Sequence, residues 1–198
     1  MFRYSIESLG PKSEVIVTKI KQLFKKIKYG LRDPKTNRPW RDTHKNTTEE
    51  DYFNNWKLAT GEQTIKCGYG ICYDYVQLSI EQLKDSNIQY NVYFAYCVGT
   101  TPGSDNPTHT FLVWKDDEGY WRWLEGAWKP FINNKFSSKN EKELVSWIGT
   151  ALANMSTQDQ VINNVRSCWP KIGSTMIEFE TQCYHKGESF CTIEYKGK

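Results

Sequence analysis

Near the start of the chain Lys19, Lys21, Lys25, Lys26 and Lys28 alternate with Ile20, Leu23, Phe24 and Ile27. That is the spacing of a helix with one wet and one dry face. It predicts a first helix over 14–29, closed by Gly30, whose lysines form a solvated face rather than a membrane or nucleic-acid patch. The polar, turn-rich stretch 31–47 reads as an ordered surface loop. Thr47-Thr48-Glu49-Glu50-Asp51 predicts the start of a second helix, its acids suiting the positive end of the helix dipole. Cys72, Val76, Ser79, Ile80 and Leu83 recur at three- and four-residue spacings, so a third helix is expected from about Cys72 to Lys84. Runs rich in Val, Tyr, Phe and Trp predict strands at 89–98, 108–114 and 120–126. Helices are expected again at 139–154 and 157–167. The tail, 175–184 and 189–195, reads as a hairpin turning at Lys186-Gly187.

No repeat, low-complexity tract or linker divides these elements. The expectation is one domain over 1–198. Its core is 47–130, flanked by an N-terminal helix and loop (1–46) and by helices and a C-terminal hairpin (131–198). The fold class expected is α+β, with an antiparallel sheet packed against a central helix that carries Cys72 at its N-terminus.

The sharpest chemical signal is Gly68-Tyr69-Gly70-Ile71-Cys72-Tyr73-Asp74. Two glycines let the backbone turn tightly just before a helix. A cysteine in the first helical turn sits at the positive end of the dipole, which favours the nucleophilic thiolate. Asp74 reads as a stabiliser of the helix start. By itself this Cys72 is equally well read as a structural thiol packed at a helix start.

Thr108-His109-Thr110-Phe111-Leu112-Val113-Trp114 and Tyr120-Trp121-Arg122-Trp123-Leu124-Glu125 decide between the two. With a five-residue loop at 115–119, Trp114 pairs with Tyr120, Val113 with Trp121 and Phe111 with Trp123. His109 then faces Glu125 directly on one side of the sheet. A carboxylate there holds one imidazole nitrogen and leaves the other for a thiol proton.

The order Gly-x-Cys, then Thr108-His109-Thr110-Phe111, then Trp123-Leu124-Glu125 resembles the transglutaminase-like (papain-like) superfamily over about 47–130. The resemblance implies Cys72 as nucleophile, His109 as general base and then acid, and Glu125 as the group that orients His109. Two positions depart from the family pattern. Its acid is usually Asp, one methylene shorter, and Thr110 follows the His where a small or apolar residue is common. Related enzymes take a second oxyanion donor from upstream of the Cys, which here makes Gln63, Trp56 and Tyr69 the candidates.

The 15% aromatic share, with 8 Trp and 12 Tyr, suits a groove for an extended peptide or protein substrate. The net charge of +3, from 26 basic and 23 acidic residues, is too balanced to imply nucleic acid. No leader and no apolar run of membrane length stands out, so a cytoplasmic location without membrane association is expected. Most of the six cysteines are then expected to be free thiols, although Cys183 and Cys191 could meet across the tail hairpin. Cys67 reads as a bystander thiol, because no second Cys/His pair completes a metal site; no metal and no cofactor are expected. The 99–107 loop is either a flap over the substrate or a plain connection. The leading expectation is acyl transfer at amide bonds by a cysteine protease, amidase, deamidase or transglutaminase. The alternatives are a catalytically silent peptide-binding module and a zinc protein using Cys67, Cys72 and His109.

Overall fold

The computed structural model describes residues 11–43, 51, 54–99, 108–154 and 160–196. Its helices are α1 (Pro11–Phe24), α2 (Trp40–Thr43), α3 (Gly61–Cys67), α4 (Cys72–Leu83), α5 (Glu141–Ala153) and α6 (Met176–Lys186). Two short strands, β1 (Lys28–Tyr29) and β2 (Tyr69–Gly70), pair in parallel. The remaining strands are β3 (Tyr90–Gly99), β4 (Thr108–Lys115), β5 (Trp121–Leu124), β6 (Ser137–Ser138), β7 (Gln160–Ser167) and β8 (Glu188–Lys196). They form one sheet in the order β6-β5-β4-β3-β7-β8, with every neighbouring pair antiparallel. The class is α+β. None of the described helices is long and apolar enough to cross a membrane.

Strand alternation divides the core in two. Even-numbered Val92, Phe94, Leu112, Trp114 and Leu124 pack with α1, α4 and α6. Odd-numbered Tyr93, Phe111, Val113, Trp121 and Trp123 pack with α5. Both faces are therefore covered, which is why β4 and β5 read as almost unbroken apolar runs. The first helix is shorter than expected. It ends at Phe24, and the chain then extends so that Lys28 and Tyr29 pair with Tyr69 and Gly70.

Three expectations for the C-terminal part are corrected. Residues 160–167 are a strand, not a helix; this segment is paired on both sides, with β3 and with β8. The segment expected to be the first arm of a tail hairpin is helix α6. Thr175 caps it by accepting the Glu178 N–H at 3.2 Å, while Glu178 accepts the Thr175 N–H at 2.8 Å. Met176, Phe179 and Cys183 fall on its buried side at helical spacing. Cys183 therefore does not meet Cys191. It forms a disulfide with Cys168, while Cys67, Cys72 and Cys191 are free. The expected second helix start and the 99–107 loop fall almost wholly outside the described residues.

Candidate active site

The turn into α4 needs both glycines. Gly68 closes α3 in the left-handed conformation, φ 73°, where a side chain is strained. Gly70 has no room for one, since a Cβ would come within 2.9 Å of the Asp74 Cβ and 3.0 Å of the Thr64 Cγ2. Asp74 then accepts the Ile71 N–H at 3.0 Å and fixes the first turn, as its position implies. Burial pushes its carboxyl up to about 6 against the hydrogen bond from Ile71. Cys72 starts the helix and is only 7% exposed. The first N–H groups of a helix have no acceptor within it and point outward at this end.

Across from it lies His109, the second residue of β4, paired with the small Ala95 of β3. It is 7% exposed. Its Nε2 lies 2.8 Å from the Glu125 Oε2, and Cys72 is near enough to help raise its pKa. With Nε2 on the carboxylate, Nδ1 is the nitrogen left for the thiol. Phe111, Trp123 and Trp128 surround the imidazole, with ring centroids 6.2, 6.5 and 5.5 Å away. Burial works against a charged imidazolium. The Glu125 charge and hydrogen bond, together with the nearby Cys72, outweigh it, so the His109 pKa is pushed up to about 10.

Glu125 is 4% exposed and sits just past the end of β5. Its second oxygen accepts the N–H groups of Ala127 at 2.6 Å and Trp128 at 2.8 Å. Burial opposes its charge, but His109 and these two amides outweigh burial and hold the carboxyl below its ordinary range. Gly126 makes the approach possible, because a Cβ there would clash with the rings of Tyr75 on α4 and Phe24 on α1.

The three residues expected as a triad are thus together, but the hairpin register that was to join them is shifted by two. Observed pairs are Leu112 with Leu124, Val113 with Trp123, Trp114 with Arg122 and Lys115 with Trp121. The loop between the last paired residues still has five residues, 116–120, one position later than expected. The Asp116 N–H bonds the Tyr120 carbonyl, Asp116 Oδ1 accepts the N–H groups of Glu118 and Tyr120, and Gly119 takes φ 84°. A register shift of two residues keeps every side chain on its own face, so the shared face survives.

The oxyanion candidates separate. Gln63 is exposed and caps α3 reciprocally with Thr60, accepting the Thr60 N–H at 3.0 Å. Tyr69 lies in β2 with its ring beneath the Lys28 ammonium, 6.0 Å away. Trp56 is fully buried 5.4 Å from the ring of Tyr73, the residue after Cys72. Its Nε1 has no acceptor among the described residues.

Tyr29 was not singled out by the sequence. Pairing of β1 with β2 sets it beside Gly70, two residues before Cys72. Its ring is 57% exposed at the mouth of the site. Burial, then Cys72 and Glu125, raise its phenol well above the usual range. No short-range pattern marks such a residue, because its contact is made across forty positions of sequence. Cys67 is half-buried, and burial raises its thiol. Among the described residues no group of three or more His, Cys, Asp or Glu side chains could hold a metal ion. Compared with known proteins, the chain matches no family model, no curated protein and no solved structure.

Proposed function

We propose that this chain is a thiol enzyme of the transglutaminase-like (papain-like) type, which transfers acyl groups from amide bonds of peptides or proteins through Cys72, His109 and Glu125. The observation that carries the reading is one buried imidazole bonded to a buried carboxylate and close enough to a thiol at a helix N-terminus for that thiol to raise the imidazole's pKa. His109 takes the Cys72 proton through Nδ1, and Glu125 stabilises the imidazolium that results. The thiolate attacks the amide carbon, the C–S bond forms, and the carbonyl oxygen becomes an oxyanion. N–H groups at the start of α4 face that charge, and Trp56 is the side-chain donor best suited to join them. As the C–N bond breaks, His109 returns its proton to the leaving amine. Neutral His109 then deprotonates water or a second amine, which attacks the thioester and releases the thiolate. Hydrolysis is favoured here, because water is the default acceptor.

The test is incubation with a peptide library followed by intact-mass analysis. A mass increase equal to an acyl group, localised to Cys72 and absent from Cys72→Ala, is the expected result. A Cys72→Ala protein that turns over any wild-type substrate at full rate removes the nucleophile from the mechanism. Equal alkylation of Cys72, Cys67 and Cys191 would point instead to a silent peptide-binding module.

A further inference from the structure

A cavity of about 700 Å³ opens beside the triad, within the size range of ligand sites. Its wall is continuous with the site. Gly126 and Ala127, which directly follow Glu125, line it together with Tyr29. Its floor is apolar, formed by Phe24, Tyr75 and Ile132. Lys21, Lys25, Lys28 and Lys129 supply its charge, and no acidic side chain lines it.

None of these four lysines pairs with a carboxylate among the described residues. Nearby, the Arg122 guanidinium bonds Asp116 at 2.5 Å through Nε, while its buried Nη2 has no acceptor among the described residues. Burial, then Arg122, lowers the Lys21 pKa. Four cations collected over an apolar floor leave the cavity without its own counter-charge. Of the chain's 26 basic residues, the 22 outside the cavity are balanced by 23 acidic ones, so the positive field is local to this cavity.

We propose that the cavity binds an acidic peptide segment, so that the amide bonds brought to Cys72 are those flanked by aspartate or glutamate. This rests on the acyl-transfer reading for what happens at Cys72, but not for the binding itself. Carboxylates meet the lysines, and the aliphatic parts of the segment cover the floor.

Binding is measured by fluorescence anisotropy on the Cys72→Ala protein, which holds a substrate without consuming it. The probes are a labelled peptide of four glutamates around one leucine and its all-glutamine counterpart. The acidic peptide is expected to bind about tenfold more tightly. That preference should vanish in Lys25→Gln/Lys129→Gln, whose substitutions are exposed and outside the triad. It should also vanish near 1 M salt, where the screening length is about 3 Å. Equal affinity for the two peptides, or an unchanged preference in the double variant, overturns the proposal. So does a single-stranded oligothymidylate of equal charge that competes as well as the acidic peptide, since the cavity would then hold any polyanion. Acyl transfer fails separately: a wild-type protein that binds the acidic peptide but never forms a Cys72 adduct loses the catalytic reading and keeps this one.

Discussion

Glu125 reaches His109 along a diagonal of the β4–β5 ladder. The last ladder pair is Leu112 with Leu124, so one further step sets Glu125 against Phe111, two positions from His109. Diagonal neighbours lie about 7–8 Å apart, against about 5 Å for direct partners. The extra methylene of Glu over Asp spans that difference and brings Oε2 to 2.8 Å from Nε2. Glu, one methylene longer than Asp, thus fits the register in which this acid sits.

Glu125→Asp is therefore expected to be nearly as damaging as loss of charge. The shorter side chain withdraws its carboxylate by about 1.5 Å and cannot hold His109 and the Ala127 and Trp128 amides together. Glu125→Gln keeps the reach and loses the charge. Both variants should lower turnover by about 10²–10⁴-fold with little change in KM. Iodoacetamide labelling of Cys72 provides the same comparison without a known substrate. An Asp variant that labels as fast as wild type would show that the diagonal reach is unimportant.

The shared face of His109 and Glu125 was legible because parity is robust: a register shift of two residues preserves it. Register was not, because it depends on how Asp116 and Gly119 fold the turn, and side-chain bonds of that kind leave no mark in the strand alternation. The α4 start was legible from Gly70 and Cys72 alone, since the glycines and the capping aspartate are local. Helix α6 carried its own local signal, Thr175 followed by Glu178 three residues on, although the segment was expected to be a hairpin arm. Strand β7 derives its conformation from two partners distant in sequence. The Cys168–Cys183 bond was hidden by the same misreading, because only a helix turns Cys183 inward beside Phe179.

Trp56→Phe separates a catalytic donor from a packing residue. Phe preserves most of the contact with Tyr73 and removes an N–H that is buried without an acceptor. Deleting an unsatisfied polar group is neutral or stabilising for the fold. If that N–H serves the oxyanion, turnover should fall by about 10²–10³-fold while the urea midpoint holds or rises. Lower stability with unchanged turnover would make Trp56 a packing residue only.

The disulfide ties the strand end at Cys168 to α6 over a separation of 15 residues. A loop of that size contributes about 3 kcal/mol by restricting the unfolded chain. Cys168→Ser/Cys183→Ser should unfold at lower denaturant by about that amount and still label at Cys72. Equal midpoints with and without reductant would mean the bond is not formed in solution. Such bonds persist in oxidising compartments, so the same measurement bears on the expectation of a cytoplasmic setting.

Stability against pH tests the buried ion pair directly. The folded-state pKa of His109 is raised from 6.5 to about 10. A raised imidazole stabilises the folded state fully below the unfolded value and loses that contribution as pH rises through the folded one. Between about pH 6.5 and 10 the folded protein retains a proton that the unfolded chain releases. The window lies above the Asp74 carboxyl at about 6, so that group adds little slope. Glu125 is shifted the other way, and its contribution is present above its ordinary value of 4.5 and lost only in acid. Urea unfolding at steps between pH 6.5 and 10 should therefore show stability falling by up to about 1.4 kcal/mol per pH unit. Other groups also contribute to the pH dependence, so the slope is read as the difference from His109→Gln, in which this proton is absent. Parallel curves for the two proteins would mean that this site binds no more protons folded than unfolded, either because His109 is neutral or because the proton it carries has come from the Cys72 thiol.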